Sequence, residues 1–251
     1  MTTRGGRVAR WIGAGVIPLA AWVVPIRHAA SADVLIVGAF STAPEGPGAP
    51  PGWKPLTFKK VSKPTDYAVV RDGDAVVVRA ESHGAASGLT REVAIDLKVY
   101  PRVAWRWKVA NVITKSDVTK KTGDDYAARL YLTFAYDPDK VSLGKKAKYK
   151  ASRLLFGDIP IAAITYIWER ATPVGTIVPN AYTDFVRMVV IESGGTNIGR
   201  WMDEERNLYD DYRSAFGEEP PLVNGVAIMT DTDDTGESAT AYYGDIFFMR
   251  K

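Results

Sequence analysis

Val103-Ala104-Trp105-Arg106-Trp107-Lys108-Val109 reads as a β-strand laid on a core. Val103, Trp105, Trp107 and Val109 fall on one side of a two-residue repeat, while Arg106 and Lys108 fall on the other. The two tryptophans are therefore expected inside the protein and the two cations outside it. Working outward, short runs rich in Val, Ile and aromatic residues recur near 34–40, 67–71, 75–81, 89–97, 128–136, 161–168, 184–192, 224–230 and 240–249, separated by turn clusters. Asp72-Gly73 marks a hairpin turn, because glycine accepts a positive φ there. This pattern predicts an all-β fold, an antiparallel β-sandwich of jelly-roll-like kind. No βα unit repeats, which argues against Rossmann and TIM architectures.

One stretch carries helical spacing. Trp201, Glu205, Leu208, Tyr212 and Phe216 share a face at steps of three and four, which predicts one short helix near 203–216, capped by Asp203 and stopped by Gly217 and Pro220. Segment 41–64 holds Pro44, Pro47, Pro50, Pro51, Pro55 and Pro64, so it is neither a regular helix nor a central strand. Trp53, Leu56 and Phe58 give it apolar groups to dock, and it is expected to be an ordered loop. Segment 139–153, with Lys140, Lys145, Lys146, Lys148, Lys150 and Arg153, reads as a solvated loop.

The amino terminus has the three parts of a secretory signal. Arg4, Arg7 and Arg10 precede an apolar run from Trp11 to Ile26, and Ala30-Ser31-Ala32 offers a small-residue cleavage site. Pro18 interrupts the run, which spans 16 residues, against the roughly 20 needed to cross a bilayer. The expectation is a signal peptide at 1–32 and a single β-sandwich domain at 33–251, periplasmic or secreted. The whole chain has a net charge of +3, with 32 Lys and Arg against 29 Asp and Glu. Four of those arginines and no acids lie before residue 33, so the remainder has 3 − 4 = −1. Nothing there supports nucleic-acid binding through a generally basic surface. The chain has no cysteine, so disulfides and thiolate metal sites are excluded and a packed core must supply the stability.

Several segments together resemble a bacterial family of exported proteins known as domain of unknown function 3047. They are Trp105-Arg106-Trp107-Lys108, Gly123-Asp124-Asp125-Tyr126-Ala127-Ala128-Arg129, Ile191-Glu192-Ser193-Gly194, Ala215-Phe216-Gly217-Glu218-Glu219-Pro220-Pro221, Ile228-Met229-Thr230-Asp231-Thr232-Asp233 and Tyr242-Tyr243-Gly244-Asp245-Ile246. The resemblance implies one exported domain and brings no established activity or catalytic residues. Tyr243-Gly244-Asp245-Ile246-Phe247-Phe248 also looks like the last strand of jelly-roll carbohydrate-binding modules.

Candidate chemistry falls into three groups. Past residue 32 the only histidine is His83, in the polar stretch Glu81-Ser82-His83-Gly84, which argues against histidine-built zinc sites and leaves no Gly-x-Ser-x-Gly elbow for a triad. Asp231, Asp233 and Asp234, with Asp245, form an oxygen-rich set of the kind calcium prefers, although Tyr242 stands where an EF-hand needs Glu. The alternative is a hydrogen-bonded acidic turn. The third group is cationic and aromatic: Arg106, Lys108, Arg129, Tyr131, Trp168 and Arg187. If their strands share one sheet, they make a groove suited to a carbohydrate bearing carboxylates, because Arg binds carboxylates through two parallel hydrogen bonds. Internal pairing of the arginines with Asp124, Asp125, Glu169 or Glu192 is the other reading. The functional expectation is non-catalytic binding of a glycan or another envelope ligand. The alternatives are a hydrolase using Glu169 and Glu192, a lyase using Tyr131 or Tyr166, and a structural protein binding another protein.

Overall fold

A computed structural model describes residues 33–135 and 162–250, with residues 1, 2, 144, 146 and 147. All but the first two residues of the expected signal segment, and nearly all of the lysine-rich stretch 139–153, lie outside the described residues. Asp33–Lys251 form one compact unit. No helix among the described residues is long and apolar enough to cross a membrane.

The strands are β1 (Val34–Gly38), β2 (Gly46–Pro47), β3 (Lys54–Leu56), β4 (Asp66–Asp72), β5 (Ala75–His83), β6 (Ala86–Ile95), β7 (Arg102–Val109), β8 (Ala128–Phe134), β9 (Ala163–Glu169), β10 (Ile177–Pro179), β11 (Val186–Ser193), β12 (Met202–Asn207), β13 (Val223–Asp231) and β14 (Ser238–Met249); the described α-helix is α1 (Leu208–Phe216). They make a β-sandwich. One sheet runs β12-β7-β14-β5-β4-β2, with β1 also on β14, and the other runs β10-β11-β9-β8-β13-β6-β3. Pairing is antiparallel throughout except for β9 with β11. A register shift between Tyr243 and Ile246 lets β14 leave β5 and take β1 while keeping β7 on its other side. Gly73, at φ 62, closes the β4–β5 hairpin in the left-handed region that its sequence anticipated.

Alternation places the core as expected on β7: Val103, Trp105, Trp107 and Val109 are buried, and Arg106 and Lys108 point away from it. The opposing sheet supplies Leu130, Leu132, Phe134, Ile164, Tyr166 and Trp168 to the same cluster. Aromatic rings join the layers. Trp105 stacks on Tyr166 at 4.9 Å, and Trp107 meets Trp168 at 6.2 Å. Such pairs are worth about 0.5–1.5 kcal/mol each beyond the apolar area they bury.

β9 is buried along its whole length. Its second face carries Ile167, which joins Val118, Tyr126, Met188 and Val190 in a smaller cluster outside the sandwich. Val118 and Tyr126 come from the connection 110–127, so that connection roofs this part of the second sheet.

The helix is shorter than its spacing implied. Residues Met202–Asn207 form β12, which pairs with β7 from Met202↔Trp107 to Asn207↔Arg102. Alternating exposure along β12 fits a strand equally well, and the free edge of β7 decides between the two. Asn207, not Asp203, caps α1, accepting the amide of Asp210 at 3.3 Å. Asp211 then pins the helix, accepting from Tyr166 Oη at 2.7 Å and Arg206 Nε at 2.9 Å. The proline-rich segment contributes β2 and β3 and docks through Trp53, whereas Phe58 is exposed.

Candidate functional site

The proposed single groove does not form, because its residues belong to different sheets. Arg106 and Lys108 stand on the outer face of the first sheet. Arg129 and Tyr131 stand on the outer face of the second, whereas Arg187 lies on its core-facing side, level with Ile164 and in step with Val189. Trp168 is on neither outer face: it is 1% exposed in the core, its indole donating to Gly194 O at 3.1 Å. Arg187 donates to Ala215 O at 3.2 Å and lies 5.6 Å from the Phe216 ring. His83 is exposed, with Nδ1 2.9 Å from Ser238 Oγ.

Arg129 is 1% exposed. Its Nε donates to Asp231 Oδ1 at 2.8 Å, and Nη2 donates to Asp231 Oδ2 and Asp124 O. Nη1 reaches Tyr131 Oη at 3.1 Å, and the guanidinium lies 4.3 Å from the centre of the Tyr126 ring. This is internal pairing of a buried cation, the alternative that the sequence left open for Arg129. Burial pushes the Asp231 carboxyl upward, opposed by Arg129 and reinforced by Asp125 and Asp124.

The acidic turn is partly redistributed. Asp231 is committed to Arg129, and Asp245 sits elsewhere, accepting from Ser41 N at 2.8 Å and Ser41 Oγ at 2.6 Å. Asp233 and Asp234 instead converge with Asp125, a residue read in sequence only as an arginine partner. One carboxylate oxygen from each lies within 4.8 Å of the others. Asp125 also accepts the amide of Thr235 at 2.6 Å, so it braces the turn as well. Asp234 is pushed up to about 6, first by burial, then against a hydrogen bond from Tyr182 and with the charges of Asp233, Asp125 and Asp124. Three oxygen ligands suit a hard cation.

The outer face of the first sheet carries a different arrangement. Arg106 lies 4.3 Å from the Trp201 ring centre, and Lys108 Nζ lies 4.4 Å from that of Tyr242. Asp72 ties these groups together, accepting from Lys108 Nζ and, at 2.8 Å, from Trp201 Nε1. The Lys108 hydrogen bond holds the Asp72 carboxyl below its ordinary range. Gly244 makes the layout possible: a Cβ there would stand 2.4 Å from Arg106 Cγ. Trp201 and Tyr242 remain partly exposed. Sequence reading missed both as site residues. Tyr242 was legible from the alternation of β14, but Trp201 had been assigned to the helix.

The carboxylates considered for catalysis are engaged. Glu169 is 2% exposed and accepts from Ser116 Oγ at 3.1 Å and from the amides of Ala171 and Thr172. Glu192 accepts from Asn197 Nδ2 at 3.0 Å, and Glu204, which sequence reading did not single out, accepts from Trp107 Nε1 at 3.1 Å and is pushed up to about 7, first by burial and then by the charge of Glu192. Tyr166 donates to Asp211 inside the core.

Residues 51–247 match the family described as "Protein of unknown function (DUF3047)". The chain belongs to this family. Its resemblance segments run through the places just described: Asp124, Asp125, Arg129, Asp231 and Asp233 meet at the buried pair and acidic cluster, and Arg106, Lys108 and Tyr242 meet on the first sheet. No curated protein sequence matches this DUF3047 chain. Among solved structures, the K1 cleaved adhesin domain of Lys-gingipain from Porphyromonas gingivalis W83 is similar at 12% identity, over 87% of this chain and 98% of that one, with a TM-score of 0.37. The glycoside hydrolase domain of Endo-D from Streptococcus pneumoniae R6 is similar at 10% identity, over 78% of this chain and 21% of that one, with a TM-score of 0.29. Neither likeness carries a functional inference.

Proposed function

We propose that this DUF3047 protein is an exported, non-catalytic binding module whose first sheet holds a carbohydrate or related envelope ligand on its outer face. The observation that carries the reading is the platform of Trp201 and Tyr242, partly exposed and fixed from behind by Arg106, Lys108 and Asp72. Aromatic rings held in one orientation offer apolar faces to a sugar ring, and the polar groups around them can meet its hydroxyls. Lys108 is paired with Asp72, and Arg106 Nε lies 3.7 Å from Asp203. With its cations offset in this way, the face favours a hydroxyl-rich ligand over a strongly anionic one.

Binding is favoured over hydrolysis because Glu169 is consumed by a turn and Glu192 is held by Asn197. Export rests on the signal-like segment 1–32, and a structural calcium ion at Asp125, Asp233 and Asp234 rests on their convergence. The test is a glycan array probed with residues 33–251 and with Trp201→Ala, each with and without calcium. Binding by the wild type that is lost in a folded Trp201→Ala protein supports the proposal. A wild type that binds no glycan sinks it.

A further inference from the structure

A free strand edge presents unpaired main-chain groups that invite pairing with another chain, and most edges of this sandwich are blunted against it. β12 carries Asp203, Glu204, Glu205 and Arg206, β2 ends in Pro47, β3 holds Lys54 and Pro55, and β10 ends in Pro179. Among the described strands β1 is the exception. Its sequence, Val34-Leu35-Ile36-Val37-Gly38, has neither a charge nor a proline, and it pairs with β14 alone.

The register fixes which main-chain groups of β1 are left over. Arg250 N donates to Asp33 O at 3.0 Å, and Leu35 lies opposite Phe248, so the main-chain groups of Asp33 and Leu35 face β14. Those of Val34 and Ile36 point out from the sheet edge, and they find no main-chain partner among the described residues. The side chains of Val34 and Ile36 are exposed on the outer face of the first sheet, level with Met249 and Phe247, while Leu35 and Val37 turn inward to the core. Two charges at this edge also lack an opposite charge. Arg91, from β6 of the second sheet, donates Nη1 to Val37 O at 2.6 Å, and neither it nor the exposed Asp33 makes an ion pair among the described residues. Glu92, beside Arg91, is taken by Lys54 at 3.2 Å.

We propose that β1 is a self-association edge, at which a second copy of this chain adds its own β1 in antiparallel pairing about a two-fold axis through Leu35. With that centre, Val34 of each copy lies opposite Ile36 of the other, and every outward N–H and C=O of these residues gains a partner. The exposed side chains of both strands then join into one apolar strip between the two flanks of Met249 and Phe247. Asp33 falls opposite the Val37 position across the axis, on the inward side, where Arg91 is bound to the Val37 carbonyl. The symmetry makes this charge pairing occur twice and sets no like charges opposite one another. An unrelated strand could match the main chain but would not carry that carboxylate, and this favours a second copy over another protein. The proposal does not depend on the ligand reading above.

The experiment is sedimentation equilibrium of residues 33–251. One strand pair buries less than the roughly 1,200–2,000 Å² of a stable complex, so a reversible dimer with a Kd on the order of 10–100 μM is expected. Ile36→Pro deletes an outward donor and leaves the ladder to β14 intact, and Asp33→Lys sets a cation against Arg91. Each should weaken association by about tenfold or more, with the fold unchanged by tryptophan fluorescence. Should Ile36→Pro fail to fold, Ile36→Lys takes its place, because a lysine on an exposed edge is tolerated in the monomer and opposes pairing. A wild type that stays monomeric at about 1 mM overturns the proposal, even if its edge accepts a strand from another protein. A dimer that any of these folded variants leaves at wild-type strength overturns it as well.

Discussion

Replacing Arg129 with Ala removes the only cation hydrogen-bonded to the buried Asp231 carboxylate among the described residues. The substitution deletes both guanidinium donors to Asp231, leaving it the amide of Tyr126 at 3.2 Å, and with them the donor to Asp124 O, the hydrogen bond to Tyr131 and the stacking on Tyr126. Asp231 and Asp124, 2% and 7% exposed, are then left beside Asp125 with no guanidinium between them. Breaking a buried ion pair from one side costs about 3–5 kcal/mol, most of it from the uncompensated charge that remains. In a domain of this size, each kcal/mol lowers Tm by about 2–4 °C, so a loss of roughly 6–20 °C is expected. Urea unfolding followed by tryptophan fluorescence measures the free energy directly. A matched apolar replacement of both partners, Arg129→Met with Asp231→Leu, should recover part of the loss, because the Asp231 charge goes with its partner while Asp124 keeps only its hydrogen bond from Asn180. An Arg129→Ala protein within about 1 kcal/mol of wild type would refute the buried-pair account.

Three further outcomes are expected. Calcium at a hundredfold excess over its Kd should stabilise the protein by about 2.7 kcal/mol, more at pH 7.5 than at pH 5, because Asp234, held at about 6, ionises between them; melting curves indifferent to calcium and chelator at both pH values would remove the ion. Gly244→Ala should push Arg106 off Trp201 and cost about 1–3 kcal/mol in urea unfolding through overpacking, and an unchanged stability would show that Arg106 swings aside freely. Intact-mass analysis of the protein from its native envelope should find an amino terminus near Asp33, whereas Met1 retained in the membrane fraction would discard the cleavage.

The strands were legible because a strand on a core writes its own two-residue alternation, as β7 does in Val103, Trp105, Trp107 and Val109. The segments resembling DUF3047 likewise mark the family in the sequence alone. Alternation says which side chains share a face of one strand, and it is silent on which sheet that strand joins. So Arg106 and Arg129 were read alike, and only long-range pairing put one beside Trp201 and the other under the 110–127 connection, against Asp231. The segment from Trp201 to Asn207 satisfies both the helical and the two-residue repeat over so few residues, and it became β12 because β7 offered it an unpaired edge. The meeting of Asp125 with Asp233 and Asp234 depends on segments distant in sequence. Proximity of that kind is set by packing, not by local spacing, so only the tertiary structure could decide it.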